Sequence, residues 1–346
     1  MVRTLRFGIV GYGWVAGAHI KSFGEIEGCE VTAICSRRKI PDEVFIRNHG
    51  KTFKLYNDYD AMLGDREIDV VSICTPHPLH VEQVEKACAA KKHVVIEKPI
   101  ALDWEGCKRI RKAVRESGVK AQVCFEVRCI SSFVTYKRML AEGVIGPVHY
   151  AEVDYYHGIG PWYAQYEWNV KKSFGGSSLL TAGCHAMDGL LWLLDEEPVE
   201  VMTYATRSAN PLLKEYEYPS TTSTILKLKS GAVGKVASVI DCIQPYLFNV
   251  MLVGANGSIW NDKFHTDKFG GLLKTGWSTL NVQLVDSGDV EHHPYTALFR
   301  DFVAAIREDR EPVLTLESSI LAHKACIAAD LAAERGTPVK LSEFAD

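Results

Sequence analysis

"GIVGYGWVAGAH", residues 8–19, decides how this chain is read. It closes a strand-like run that begins at Leu5 and passes through Gly11-x-Gly13-x-x-Ala16 into a helical pattern over 14–26. A strand that turns into a helix this way uses each small residue for a different reason. The first glycine makes the tight turn, the second lets backbone approach a pyrophosphate, and the alanine lets helix and strand pack closely. The helix start then offers N–H groups and the positive end of its dipole. The loop reads as the phosphate turn of a dinucleotide site, with Gly11, Tyr12, Gly13, Trp14 and Val15 as contacts.

Outward from this loop the first third of the chain alternates. "CEVTAICS" (29–36), "DVVSICTP" (69–76), "HVVIEKP" (93–99) and "KAQVCFE" (120–126) are Val/Ile-rich runs with helical patterns between several of them (His80–Lys91, Asp103–Ser117). Continuous apolar strands alternating with helices predict a parallel sheet covered on both faces. The expected fold class is α/β: a Rossmann domain over 1–124, doubly wound, followed by a second α/β domain over 125–346. In that second part "VHYAEVDYYH" (148–157), "VEVMTYATRS" (199–208), "TSTILKLKSG" (222–231), "AVGKVASVID" (232–241), "NVMLVGANGSIWN" (249–261) and "TLNVQLVDSG" (279–288) follow with few long helices between them. Hairpin signals such as "KSGAVG" join several, which predicts a large, open, mostly antiparallel sheet. Helices are expected near Thr296–Arg307 and Leu316–Glu334, the last packing back toward the first domain.

Composition narrows the function. The 346 residues are 47% apolar and 24% charged, with net charge −4. There is no basic run, which argues against nucleic acid as a partner. No apolar run approaches the ~18 residues of a membrane span, so no membrane partner is expected. Ten cysteines lie inside regular elements without C-x-x-C or zinc-like spacing. That reads as a reduced, cytoplasmic protein with no metal centre, and the entry into the first strand leaves no room for a signal peptide.

The end of the second strand selects the cofactor. An NAD site usually places an acid there, about 20 residues past the glycines, for the ribose 2′-hydroxyl. Here stand Ser36, Arg37 and Arg38, a hydroxyl and two guanidiniums suited to a 2′-phosphate. NADP is favoured over NAD. Further on, Glu97-Lys98-Pro99 closes a parallel strand at the edge where ligands bind in such sheets. Lys98 is read either as a solvated charge or as a cation that holds a reacting hydroxyl. In "LLTAGCHAMDG" (179–189), Thr181, His185 and Asp188 share one face of an otherwise apolar helix.

Four stretches together carry a resemblance: Gly11–Ala16, "TPHPLH" (75–80), Glu97-Lys98-Pro99 and "GGSSLLTAGCHAMD" (175–188). In order and spacing the chain resembles the Gfo/Idh/MocA oxidoreductases, the glucose–fructose oxidoreductases, inositol dehydrogenases and their relatives. The resemblance implies a substrate cleft between two domains and an open sheet that often supports oligomers, here a dimer or tetramer. It implies cofactor contacts from Thr75, Pro76, His77, His80, Glu97 and Lys98. It places Lys98 by nicotinamide and substrate, and gives His185 the role of acid–base. Many members carry aspartate four residues before that histidine; this chain has Thr181, which cannot raise the ring's pKa as a carboxylate would. Asp188 is retained, and in the family it is more often structural.

The implied substrate is a small polyol: a sugar, glycoside or cyclitol whose ring hydroxyl loses its proton to His185 while Lys98 stabilises the alkoxide. "DYYHGIGPWYAQYEWN" (154–169) has six aromatic residues in sixteen, which suits sugar C–H faces; the same loop reads equally well as core or subunit contact. Tyr156, Trp162, Tyr163, Thr181 and Arg128 are taken as substrate contacts with His185. Glu152, Asp154 and His157 have ligand atoms for a metal, but strand period puts His157 on the opposite face from the acids. His292-His293-Pro294-Tyr295 is a weaker cleft candidate. Two other readings stand beside the dehydrogenase. One is a redox-neutral enzyme that retains its nicotinamide and cleaves or epimerises a glycoside through transient 3-oxidation. The other is a non-catalytic sensor of sugar or dinucleotide.

Overall fold

The computed structural model describes residues 3–284 and 292–345. The chain forms two compact units, Met1–Cys124 with Asp289–Ile320, and Phe125–Gly288 with Leu321–Asp346.

The first unit is built on six parallel strands: β1 Leu5–Val10, β2 Cys29–Cys35, β3 Lys54–Tyr56, β4 Val70–Ile73, β5 His93–Ile96 and β6 Ala121–Val123. Their order is β3-β2-β1-β4-β5-β6. This is the doubly wound sheet that the alternating sequence predicts, with the order reversing between β1 and β4, where ligands bind. All four residues of β4 are buried, which is why that strand reads as a run of Val and Ile broken only by the small Ser72. Helices α1 Trp14–Gly24, α2 Asp42–His49, α3 Tyr59–Leu63, α4 His80–Ala89 and α5 Trp104–Ser117 occupy the crossovers. Asp103 caps α5 by accepting from the Gly106 N–H at 2.7 Å. α1 differs: Gly13 stands at its N-cap with no side-chain cap, and its first turn has no acid.

The second unit holds a nine-stranded sheet. Its strands are β7 Val148–Tyr156, β8 Pro198–Thr206, β9 Thr221–Leu228, β10 Val233–Val239, β11 Leu247–Gly254, β12 Gly257–Trp260, β13 Lys263–Thr266, β14 Ser278–Thr279 and β15 Val339–Lys340. The order is β14-β13-β12-β11-β7-β10-β9-β8-β15, antiparallel except for β7 beside β10. The expected strand at 279–288 is two residues, 278–279; 280–284 are not strand, and 285–288 lie outside the described residues. Helices α6 Ser131–Ala141, α7 Tyr166–Asn169, α8 Lys172–Gly175 and α9 Cys184–Leu194 complete this unit's first half. α9 lies on β7 and β10, and at its start Gly183 sits so close to the sheet that a Cβ there would fall 2.5 Å from Ser238 Cβ. On the other sheet face the register lines up Met202, Ile225, Lys235, Glu152, Met251 and Trp260 across six strands. Tyr204, Ile225, Val233 and Trp260 are exposed there.

Two helices end the chain, α10 Tyr295–Glu308 and α11 Leu316–Arg335. α10 belongs to the first unit, where Phe299 stacks on Phe23 at 4.3 Å and Phe23 on Phe7 at 4.1 Å. The expected second domain, 125–346, is therefore interrupted by 289–320. It is α10 that completes the first unit's core, with only Leu316–Ile320 of the last helix counted beside it. The physical reason is an apolar stripe on α10 (Leu298, Phe299, Phe302, Val303) that needs a covered partner.

Candidate functional site

In the first unit the glycine loop is shaped by what touches it. Gly11 has φ +88°, and a Cβ would stand 2.7 Å from the Cys74 carbonyl oxygen just past β4, so only glycine fits the turn from β1 to α1. At Gly13 a Cβ would meet no protein atom within 4 Å. Backbone N–H groups at the uncapped start of α1 thus face outward beside an unshielded glycine, a cradle that fits a pyrophosphate. At the end of β2, Ser36 is buried and its Oγ accepts from the Arg38 N–H at 3.2 Å. The Arg38 guanidinium donates to the Tyr12 carbonyl, which folds it over the loop, while Arg37 is exposed. The Tyr12 hydroxyl lies 2.9 Å from His49 Nε2.

Lys98 follows β5 and is half-buried. Its neighbour Glu97 faces inward. Glu97 Oε1 lies 2.9 Å from His19 Nε2 and accepts from the Tyr295 hydroxyl at 3.1 Å; Oε2 takes the Lys98 N–H at 3.3 Å. His19 Nδ1 reaches Ser72 Oγ at 2.8 Å. Burial disfavours both charges, but the contacts outweigh it. Cys74 and Glu97 carry His19 up to about 10, and His19 leads in drawing Glu97 down to about 2. His80 is fully buried, with Nδ1 2.8 Å from the Pro99 carbonyl and Nε2 2.8 Å from the Thr75 carbonyl. Glu97 and His80, expected to touch cofactor, bond their side chains to protein groups on either side of Lys98 and Pro99. Thr75 bonds Gln83 through its hydroxyl, Pro76 caps the short turn His77–Leu79, and the buried His77 ring lies 5.8 Å from that of His80. His19, Glu97 and Cys124 bring metal-ligating atoms within 4.8 Å of one another; His19 pairs with Glu97, and Cys124 Sγ lies 3.9 Å from His19 Nε2.

In the second unit His185 occupies the first turn of α9. The turn before it, Leu179–Gly183, is π-helical and wider than an α-turn. A plain α-helix would align Thr181, His185 and Asp188, and the structure gives each a different partner. Thr181 donates to Asn169 Oδ1 at 2.5 Å. Asp188 takes Arg128 Nε at 2.8 Å and Nη2 at 2.5 Å, a buried bidentate pair. His185, 3% exposed, places Nδ1 3.5 Å from Oε2 of the equally buried Glu126. The Tyr155 ring lies parallel to the imidazole at 6.3 Å, and the Phe125 edge is 5.9 Å away. The Tyr155 hydroxyl reaches His157 Nδ1 at 2.9 Å, and His157 meets Tyr246 and Tyr163 edge-on. Burial raises the Tyr155 and Tyr246 phenols well above their ordinary range, with the Glu126 carboxylate adding to it, so both stay neutral.

The expected substrate contacts fall in several different surroundings. Strand alternation puts Tyr155, not Tyr156, against His185; Tyr156 shares the opposite face with Asp154 and Lys235. Arg128 is held by Asp188. Trp162 is exposed and donates to the Gly158 carbonyl, and Tyr163 is in the ring cluster. Glu152 and Asp154 share the Lys235 ammonium at 3.0 and 2.8 Å, on the face away from His157. Tyr295 serves Glu97 in the first unit. Sequence reading does not single out Glu126, Tyr155 or Tyr246 and takes His157 only as a metal candidate; the one available signal is a glutamate inside an apolar run, "VCFEV", two residues before Arg128.

Comparison with known proteins agrees with this construction. Residues 5–125 match the Gfo/Idh/MocA model described as oxidoreductase family, NAD-binding Rossmann fold. Residues 137–341 match its companion, oxidoreductase family, C-terminal alpha/beta domain. The scyllo-inositol 2-dehydrogenase (NAD(+)) of Bacillus subtilis is 26% identical over 99% of this chain and 97% of its own. The Lactobacillus casei scyllo-inositol dehydrogenase, solved with NAD(H) and scyllo-inositol, superposes with TM-score 0.81 at 21% identity, covering 98% of this chain and all of that one. An Agrobacterium radiobacter oxidoreductase, solved with NAD+, L-tartaric acid and magnesium, gives 0.84 at 18% identity, covering 99% of each. Among the described residues no helix is long and apolar enough to cross a membrane.

Proposed function

Because this chain belongs to the Gfo/Idh/MocA oxidoreductase family, we propose that it is a nicotinamide-dependent dehydrogenase of a ring hydroxyl on a cyclitol, sugar or glycoside. The observation that carries the reading is His185: a nearly buried imidazole set against a carboxylate and a tyrosine ring, in a chain that also holds Lys98 at the end of β5. Bound nicotinamide supplies the hydride acceptor. With Nδ1 turned to Glu126, Nε2 of His185 takes the hydroxyl proton, and in the reducing direction returns it. The Lys98 ammonium stabilises the developing alkoxide. The hydroxyls of Tyr155 and Tyr163 and the ring of Trp162 suit the polar edges and C–H faces of a polyol.

Ser36, Arg37 and Arg38 support NADP as the preferred cofactor, since β2 ends in no acid and Arg38 is already folded over the glycine loop. The exposed sheet face supports a homo-oligomer. The test is oxidation of inositols, sugars and glycosides with NADP+ and with NAD+, followed by nicotinamide absorbance. Turnover of a polyol is expected, faster with NADP+. Lys98→Ala and His185→Ala are each expected to lose about 10²–10⁴-fold in kcat, with His185→Ala binding cofactor as tightly as the unaltered protein by fluorescence titration. Undiminished turnover in both variants sinks the assignment.

A further inference from the structure

The helix that carries His185 brings no usable carboxylate to its ring. Thr181, one turn earlier, is neutral and its hydroxyl is given to Asn169. Asp188, one turn later, is neutralised by both arms of Arg128. The negative charge that faces the imidazole comes from elsewhere in the chain. The short turn Glu126–Cys129, directly after β6, meets α9 at two points. Glu126 stands 3.5 Å from His185 Nδ1, and Arg128, two residues on, grips Asp188, three residues past His185. Spacing of two on the turn and three on the helix sets both pairs in register. The Phe125 ring edge closes a third side.

We infer that Glu126 is the carboxylate that orients His185, holding the proton on Nδ1 so that Nε2 is the atom that works on the substrate. This rests on the reading of His185 as acid–base. Glu126 is a positioning residue: it acts through the imidazole and has no contact of its own with substrate. Both side chains are almost fully buried, at 2% and 3% exposure, so their interaction is little screened by water. A separation of 3.5 Å is an ion-pair distance, and acid–base pairs without substrate are often longer than in the working complex. The other titratable groups around the ring are Tyr155 on β7, Tyr246 before β11, His157 beyond Tyr155, Cys184 beside it on the helix, and the closed pair of Arg128 and Asp188. The two tyrosines are neutral, and among the described residues Glu126 is the carboxylate set at ion-pair distance from the ring.

The experiment has two readouts. NMR titration of ring-labelled histidine in the full chain reads the His185 midpoint directly, without turnover, with His185→Ala identifying the signal. Glu126→Gln is expected to lower that midpoint by about one unit or more, since the neighbouring anion favours the protonated ring. The acidic limb of kcat/KM for polyol oxidation should move to lower pH with it. Plateau kcat should fall about 10–100-fold, with KM for the nicotinamide cofactor unchanged. Glu126→Asp keeps the charge and should restore most of the midpoint; it also serves if the glutamine variant does not fold. An unmoved midpoint and an unmoved limb in Glu126→Gln, with His185→Ala inactive, overturns the role of Glu126. Full activity in His185→Ala instead removes the acid–base reading, while the NMR shift still reports whether Glu126 couples to the ring.

Discussion

Arg128 and Asp188 show how one buried pair decides between a ligand and a brace. The guanidinium is mostly buried and both its bonds go to one carboxylate. Burial pushes Asp188 upward and Arg128 draws it back. Removing one partner leaves a buried charge alone, so Arg128→Ala is expected to cost about 3–5 kcal/mol in denaturant unfolding. The double change Arg128→Met with Asp188→Leu should recover most of that loss, because no charge is left over. A raised substrate KM with unaltered stability would instead make Arg128 a substrate ligand. Lys98 and His185 stand out as candidates in the sequence because each lies in a short motif with fixed spacing. Glu126 was not, because nothing in linear order ties 126 to 185. Tyr156 was chosen over Tyr155 because neighbouring tyrosines on a strand differ only in phase, and phase is set by packing.

Elements carry the next layer. His19 on α1 and Glu97 at the end of β5 tie the cofactor helix to the strand that presents Lys98, with Tyr295 of α10 on the same carboxylate. His19 is raised, so its share of stability is complete below its ordinary 6.5 and is lost as pH climbs through about 10. Glu97 is depressed, so its share is present above 4.5 and is lost as pH falls through about 2. The pair therefore stabilises fully only between those ordinary values. Melting temperature followed from pH 5 to about pH 10 should fall more steeply in the unaltered protein than in His19→Gln. Parallel curves would show that the pair is not charged as described. The strands of the first unit were readable because buried parallel strands have a plain signature. The helix at 179–194 was read as uniform because apolar periodicity does not register a π turn, which inserts no residue type of its own. The three-residue β3 was missed since nearly every position in it is exposed.

For the whole molecule, the row from Met202 to Trp260 is the feature with the clearest test. A sheet face with exposed Tyr204, Ile225 and Trp260 around the Lys235–Glu152–Asp154 cluster suits contact with a second copy. Ile225→Glu combined with Tyr204→Asp is expected to yield monomer by size-exclusion chromatography with light scattering, with the unaltered protein as dimer or larger. An unaltered protein that elutes as monomer refutes this use of the face. Topology and sheet type were legible from strand texture; the boundary was not, because an interruption at 289–320 depends on where α10 finds a covered partner. That interruption has a consequence for biosynthesis. The aromatic stack Phe7–Phe23–Phe299 joins residues from opposite ends of the chain. A ribosome delivers the glycine loop long before its supporting helix, so the nascent first unit waits with Phe23 uncovered while the entire nine-stranded sheet except β15 is synthesised. The glycine loop thus matures only after most of the second unit's strands are made, and its interim care falls to whatever holds unfinished chains.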